Sequence, residues 1–260
     1  MIETGVQPET GQTEPKRNWT GWIVAGGCRL LLCLLVGIAA LGGYMYLSGQ
    51  GTATFNPAIH VNTPAPRAHP QASGNTLGAA NAPVKITEYA DFQCPYCEQY
   101  WRDTEPQIVA AYVQTGKVQY TYRSAGNLVS SNIGSGNVES QDAAMAAYCA
   151  GDQNKFWEYH DALYSNVLGE GAGSFTDERL KAIAHSLGLD SNQFGACYDG
   201  KTYAARATQD LQDANKQGFQ GTPFFVITYT LNGQTQTKTI DGAYPFSQFQ
   251  QVIDAALGGQ

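Results

Sequence analysis

One stretch of the chain is apolar without interruption. Leu30–Leu47 carries no charged side chain over eighteen residues. At the helical rise this run covers about 27 Å, and extending it past Arg29 to Trp22 gives about 39 Å, against a bilayer hydrocarbon core of about 30 Å. Arg29 lies close enough to the N-terminal end to snorkel to the interface, and Trp19, Trp22, Tyr44 and Tyr46 sit where aromatic belts form. Lys16 and Arg17 also precede the run, while the next base after it is Arg67. The positive-inside rule therefore predicts a cytoplasmic tail over 1–20, a transmembrane signal-anchor over 21–48 and an exported remainder. A signal peptide cut near Ala40–Gly42 is the alternative; the run is longer than a usual signal h-region.

Residues 49–80 show no apolar period and are rich in Pro, Gly and Ala, which predicts a semi-extended tether. Patterned structure begins at Pro83. Val84, Ile86 and Glu88 share one face of an alternating strand, a helix follows that Pro106 restarts and Gly116 ends, and Val118–Arg123 alternates again. Strand, helix, strand at this spacing predicts a βαβ unit with a parallel pair. A helical block follows over about 138–218. It holds a helix capped by Ser140, a second marked by Phe156, His160, Leu163 and Tyr164, a third capped by Thr176, a short one starting at Asp190 and a longer one over 202–218. Pro223–Tyr229 then reads as a strand, Asn232-Gly233 as a hairpin turn, Thr235–Ile240 as its partner, and a last helix starts near Pro245. The expected class is α/β.

Composition adds two constraints. The net charge of −7 argues against a nucleic-acid partner. Residues 1–48 hold three acids and three bases, so the exported part carries the whole excess. Cys28 and Cys33 fall in the apolar run as small fillers, leaving Cys94, Cys97, Cys149 and Cys197 in an oxidising compartment.

Cys94-Pro95-Tyr96-Cys97 follows a strand and opens a helix. Pro95 suits the first helical position, where its missing N–H is not needed. Cys94 then lies at the helix N-terminus, where unpaired N–H groups favour a thiolate, and Cys97, one turn in, is the resolving thiol. A lone CxxC is also half of a zinc site, but no second CxxC and no nearby histidine completes one. His60 and His69 lie in the tether and His160 and His185 in helices, so no metal or cofactor is expected. Glu88 has the parity of Val84 and Ile86, six residues before Cys94. It is either a buried acid that exchanges protons with Cys97 or an edge glutamate facing water.

The order of elements together with Phe92-Gln-Cys-Pro-Tyr-Cys97 and Gly221-Thr-Pro-Phe-Phe225 resembles the DsbA-like thiol:disulfide oxidoreductases of the bacterial envelope, over 81–260. The resemblance implies a thioredoxin-like fold with an inserted helical subdomain, here behind one transmembrane helix. It implies Cys94 as nucleophile, Cys97 as resolving cysteine and Glu88 as the buried acid. Substrate contact is implied for Pro95, Tyr96, Thr222 and a cis Pro223. Tyr96 departs from the histidine of the strongest oxidants and cannot supply its positive charge, so a less oxidising couple is expected. Cys149 and Cys197 are implied as a structural disulfide, whose loop of about fifty residues is worth roughly 4 kcal/mol in the chain-entropy model.

The activity so implied is oxidation of reduced exported proteins through a mixed disulfide at an extracytoplasmic face of the cell membrane. Reoxidation then falls to a DsbB-like or vitamin K epoxide reductase-like membrane partner. Two rivals stay open: a reductase or isomerase, such as one serving cytochrome c maturation, and a non-catalytic module whose four exported cysteines hold a metal.

Overall fold

A computed structural model describes residues 59–134 and 136–258. The expected cytoplasmic tail, the membrane segment and the tether up to residue 58 lie outside the described residues, and so do Cys28 and Cys33. Among the described residues no helix is long and apolar enough to cross a membrane.

Five strands form one mixed sheet in the order β1-β3-β2-β4-β5. They are β1 (Thr76–Leu77), β2 (Val84–Ala90), β3 (Val118–Ser124), β4 (Phe224–Leu231) and β5 (Gln234–Asp241). The βαβ expectation holds: β2 and β3 pair parallel with Val84 opposite Val118, and β4 joins β2 antiparallel with Phe225 opposite Glu88. Asn232 and Gly233 both take positive φ, 52° and 76°, as a two-residue hairpin whose twist matches its strands requires.

The helix after the cysteine motif breaks where Pro106 demands it. Proline cannot donate to the Arg102 carbonyl, so α1 (Pro95–Asp103) stops at Thr104 and α2 (Glu105–Ile108) resumes into a π turn over Val109–Val113. Thr176 caps α6 (Asp177–Ser186) by accepting the Arg179 N–H, and Asp190 caps α7 (Ser191–Asp199) by accepting the Gln193 N–H at 2.8 Å. α5 (Phe156–Tyr164), α8 (Ala204–Lys216) and α9 (Phe246–Gly258) fall where their apolar stripes predict.

Three expectations need correction. The helical block starts earlier than 138, with α3 (Leu128–Ile133), whose six residues are too few to show a period and whose N-cap Asn127 makes no side-chain cap bond. Ser140 does not cap α4 (Glu139–Gly151): it is buried inside the first turn, and its hydroxyl is taken by Gln93 and Ser130. The part of the tether from 61 to 80 is not free chain. Asn62 and Asn166 exchange two hydrogen bonds, at 2.7 and 2.8 Å, and the Arg67 guanidinium stacks 4.0 Å over the Trp101 ring. Leu77 is fully buried, and β1 closes the edge of β3. These bonds satisfy backbone and polar groups that composition alone would leave to water.

The core is aromatic. Tyr100, Tyr120, Tyr122, Phe92, Trp157, Phe225 and Phe249 are all buried, with Tyr100 and Phe225 ring centroids 4.5 Å apart. Cys149 on α4 and Cys197 on α7 form a disulfide with Cα atoms 5.8 Å apart. That bond removes two of the four ligands a cysteine metal module would need.

Candidate active site

Cys94 is the N-cap residue of α1 in extended conformation (φ −75°, ψ 122°), with Pro95 at the first helical position. Its N–H donates to the Asp91 carbonyl, so the chain leaves β2 through a tight turn that delivers the thiol to the helix start. Cys94 and Cys97 are free thiols; Cys94 is 5% exposed and Cys97 is sealed. The Cys94 thiol is pulled down to about 7. A hydrogen bond from Cys97 does most of this against the opposing effect of burial, aided by Thr222 and by the backbone N–H groups of Cys97 and Tyr96. Cys97 is pushed well up, first by burial, then by its hydrogen bond to Cys94 and the nearby negative charges of Cys94 and Glu88. The two thiols are thus electrostatically unlike: one is ready to ionise, and one holds its proton.

The Thr222–Pro223 bond is cis, and the Cys94 Sγ lies 3.4 Å from the Thr222 carbonyl oxygen. The resemblance therefore brought together residues 128 positions apart in sequence. Pro223 is buried beside them, and Tyr96 stands 63% exposed at the mouth.

Glu88 is buried, 1% exposed, so it is not an edge glutamate facing water. Its Oε2 accepts the Tyr120 O–H at 2.6 Å, and the Tyr120 oxygen lies 3.1 Å from that of Tyr100. Burial raises its carboxyl to about 8, and the Tyr120 bond opposes only part of that rise. At neutral pH Glu88 is therefore mostly a carboxylic acid with a proton to give.

Several site groups had no sequence signal. Gln93, between Phe92 and the nucleophile, donates through Nε2 to Ser130 at 2.7 Å and Ser140 at 2.9 Å and accepts the Gly171 N–H at 2.8 Å. One buried amide thereby ties the catalytic turn to the helical subdomain. Asp91 is buried and accepts the N–H groups of Gln93 and Val129; burial lifts it to about 6 against those bonds. Beneath Glu88, Glu105 and His160 bring one donor atom each to within 4.8 Å of one another and of Glu88. The sequence reading assigned no metal ligands; among the described residues these three are the donors that the fold gathers. Glu105 is distinguished in sequence only by preceding Pro106, and His160 reads as a packed helix residue. It does pack, edge-on to Phe92, Tyr122 and Tyr164. Cys149 and Cys197 lie in the helical subdomain as a disulfide, apart from the thiol pair.

Known proteins are similar to this chain. The probable disulfide bond formation protein D of Bacillus cereus is 28% identical over 159 residues, 60% of this chain and 70% of that one. A region of the Na(+)/H(+) antiporter NhaA 1 of Salinispora arenicola is 30% identical over 182 residues; the match spans 70% of this chain but only 24% of the antiporter. The crystal structure of Wolbachia pipientis alpha-DsbA1 superposes with a TM-score of 0.59 at 24% identity, covering 73% of this chain and 93% of that one. Residues 71–255 match the Thioredoxin_4 family model, described as thioredoxin, and by that match over most of its length the chain belongs to the thioredoxin family.

Proposed function

We propose that the chain is a membrane-anchored thiol:disulfide oxidoreductase that oxidises cysteines of exported proteins. One observation carries this reading: a thiol pair at the start of α1 in which Cys94 is drawn to about 7 while Cys97 is held protonated. The name of the Bacillus cereus relative, a probable disulfide bond formation protein, supports the direction of transfer.

In the oxidised protein a substrate thiolate attacks Cys94 Sγ. The Cys94–Cys97 bond breaks, Cys97 takes the electron pair and a proton from Glu88, and a mixed disulfide forms at Cys94. A second substrate thiolate then attacks the substrate sulfur, Cys94 leaves as a thiolate, and the substrate departs oxidised by two electrons. Thr222 and Pro223 flank the position of the mixed disulfide, and Pro95 and exposed Tyr96 offer it an apolar rim. A quinone-linked membrane partner of the DsbB or vitamin K epoxide reductase kind would restore the Cys94–Cys97 disulfide, and the anchor over 21–48 would keep the domain beside it.

A Cys94 ionising near 7 also fits the reductase or isomerase reading, since a thioredoxin-type nucleophile ionises at about 7 and the strongest oxidant at about 3.5. The test is disulfide formation in a reduced, unfolded model substrate. The wild-type protein oxidises it, and the Cys94→Ser protein does not. Full activity in that variant defeats the proposal.

A further inference from the structure

The buried acid Glu88 needs a route for its proton. It is sealed from water, yet each catalytic turnover charges or discharges it. Around it stand Tyr120 from β3, Tyr100 from α1 and Cys97 above. Below it lies Glu105 at the start of α2, 4% exposed, and then His160 on α5, fully buried. Glu105 Oε2 and His160 Nε2 face each other at 3.9 Å, and neither has a hydrogen-bond partner in the protein. Two buried, unpartnered polar atoms at that separation are too far apart to bond directly and are costly unless something joins them.

One water can join them: hydrogen bonds of about 2.8 Å from a single oxygen span the 3.9 Å separation at an angle of about 90°, and the Glu88 carboxylate lies within 4.8 Å of both. A metal ion held at about 2.1 Å also spans 3.9 Å, and metal content separates the two. Beyond His160 the chain of polar atoms continues. His160 Nδ1 lies 3.2 Å from Asp161 Oδ1, and Asp161 Oδ2 lies 2.9 Å from His69 Nε2, whose side chain is 13% exposed. Trp101 Nε1 donates to the same Asp161 at 2.8 Å, and Arg67 Nη1 stands 3.9 Å from Glu105 Oε1.

We propose that Glu105, one bridging water, His160, Asp161 and His69 form the proton path between Glu88 and solvent. This rests on the reading of Cys94 and Cys97 as the redox couple. When Cys97 departs from Cys94 as a thiolate, it takes the Glu88 carboxyl proton, and Glu88 recovers one from solvent through the path. When Cys97 S–H attacks in the reverse direction, its proton passes to the Glu88 carboxylate and leaves the same way. Each hop breaks one O–H or N–H bond and forms the next, so no charge is stranded inside. Burial keeps His160 neutral despite the opposing pull of Asp161, so one ring nitrogen carries a proton while the other accepts, and the two exchange roles as a proton passes inward or outward. Asp161 stays ionised against its own burial because His160, His69 and Trp101 hydrogen-bond to it. Arg67 and His69 both precede the family match at residue 71, so the segment that composition marks as tether supplies the outer end of the path.

The experiment uses the purified full chain carrying Cys28→Ser and Cys33→Ser, taken as wild type for this assay, reduced at Cys94 and Cys97 with Cys149–Cys197 left intact, and 5,5′-dithiobis(2-nitrobenzoate) as probe. Cys94 attack releases the first thionitrobenzoate and leaves a mixed disulfide; Cys97 attack on Cys94 Sγ releases the second. In His69→Ala and in the volume-conserving Glu105→Gln the second phase is expected to slow about a hundredfold at pH 7, the low end of what proton transfer contributes, while the first is unchanged. Added imidazole restores the second phase in His69→Ala, which a purely structural role would not permit. Second phases within twofold of wild type in both variants overturn the path, and so does one tightly bound metal ion per chain by elemental analysis. A wild-type protein that releases only one thionitrobenzoate overturns the underlying reading of the cysteine pair instead.

Discussion

Replacing Glu88 by glutamine removes one titration from the interior and leaves the shape almost unchanged, because the amide oxygen can still accept the Tyr120 O–H that Glu88 Oε2 receives at 2.6 Å. In the folded protein the carboxyl ionises at about 8, raised by burial from 4.5. A carboxyl with a raised folded pKa binds more protons folded than unfolded between those two values. Stability is then fullest below about 4.5 and declines as pH rises toward 8. At pH 7 the unfolded group is fully ionised and the folded one is not, a gap of about 2.5 units or roughly 3 kcal/mol. At pH 5 the same difference is below about 1 kcal/mol. The Glu88→Gln protein should therefore exceed the wild type in unfolding free energy by about 2–3 kcal/mol at pH 7, with the advantage shrinking at pH 5. Urea unfolding of both reduced proteins at pH 5, 6, 7 and 8 measures this. A difference that does not grow with pH would refute the assignment of Glu88 as a protonated buried acid.

Other outcomes follow from neighbouring groups. Tyr96 is 63% exposed, so Tyr96→His fits without repacking; its positive charge should lower the Cys94 ionisation below about 7, read from thiolate absorbance at 240 nm against pH. Gln93→Ala leaves the Gly171 N–H without its acceptor and cuts the tie to Ser130 and Ser140, a loss of about 1–3 kcal/mol seen as a lower melting temperature. The Cys149→Ser/Cys197→Ser double variant should lose about 2–4 kcal/mol of stability while keeping the two-phase thionitrobenzoate release, because the disulfide joins α4 to α7 and not to α1, which carries the thiol pair. The Cys97→Ser protein should accumulate a stable mixed disulfide at Cys94 with a disulfide-linked peptide dimer: the Cys94 thiolate attacks, one peptide leaves as its thiol, and no second protein thiol resolves the bond, as detected by mass under non-reducing conditions.

What could be read along the chain was local. Val84, Ile86 and Glu88 shared a parity that the sheet keeps, Asn232-Gly233 turned where its dipeptide prefers, and Cys94-Pro95 opened a helix because proline tolerates that position. What could not be read depends on partners distant in sequence. Ser140 looked like a cap because serine favours that role, but Gln93, 47 residues earlier, claims its hydroxyl. His69 looked idle in a flexible segment, and only folding sets it against Asp161, 92 residues on. β1 is two residues long and has no periodicity to betray it; its pairing with Thr121 and Tyr120 defines it. Pro223 and Thr222 were placed beside Cys94 by family resemblance, since no spacing rule links positions so far apart.

The central claim is that Cys94 and Cys97 form an oxidising couple tuned by a helix N-terminus and a sealed partner thiol. Equilibrating the purified chain in glutathione buffers and counting Cys94–Cys97 disulfide by alkylation and mass gives its reduction potential directly. The account predicts a value between about −120 and −230 mV, below the strongest oxidant because Tyr96 carries no charge, yet above a thioredoxin-type reductant. A value at or below about −270 mV would contradict it and make the chain a reductant.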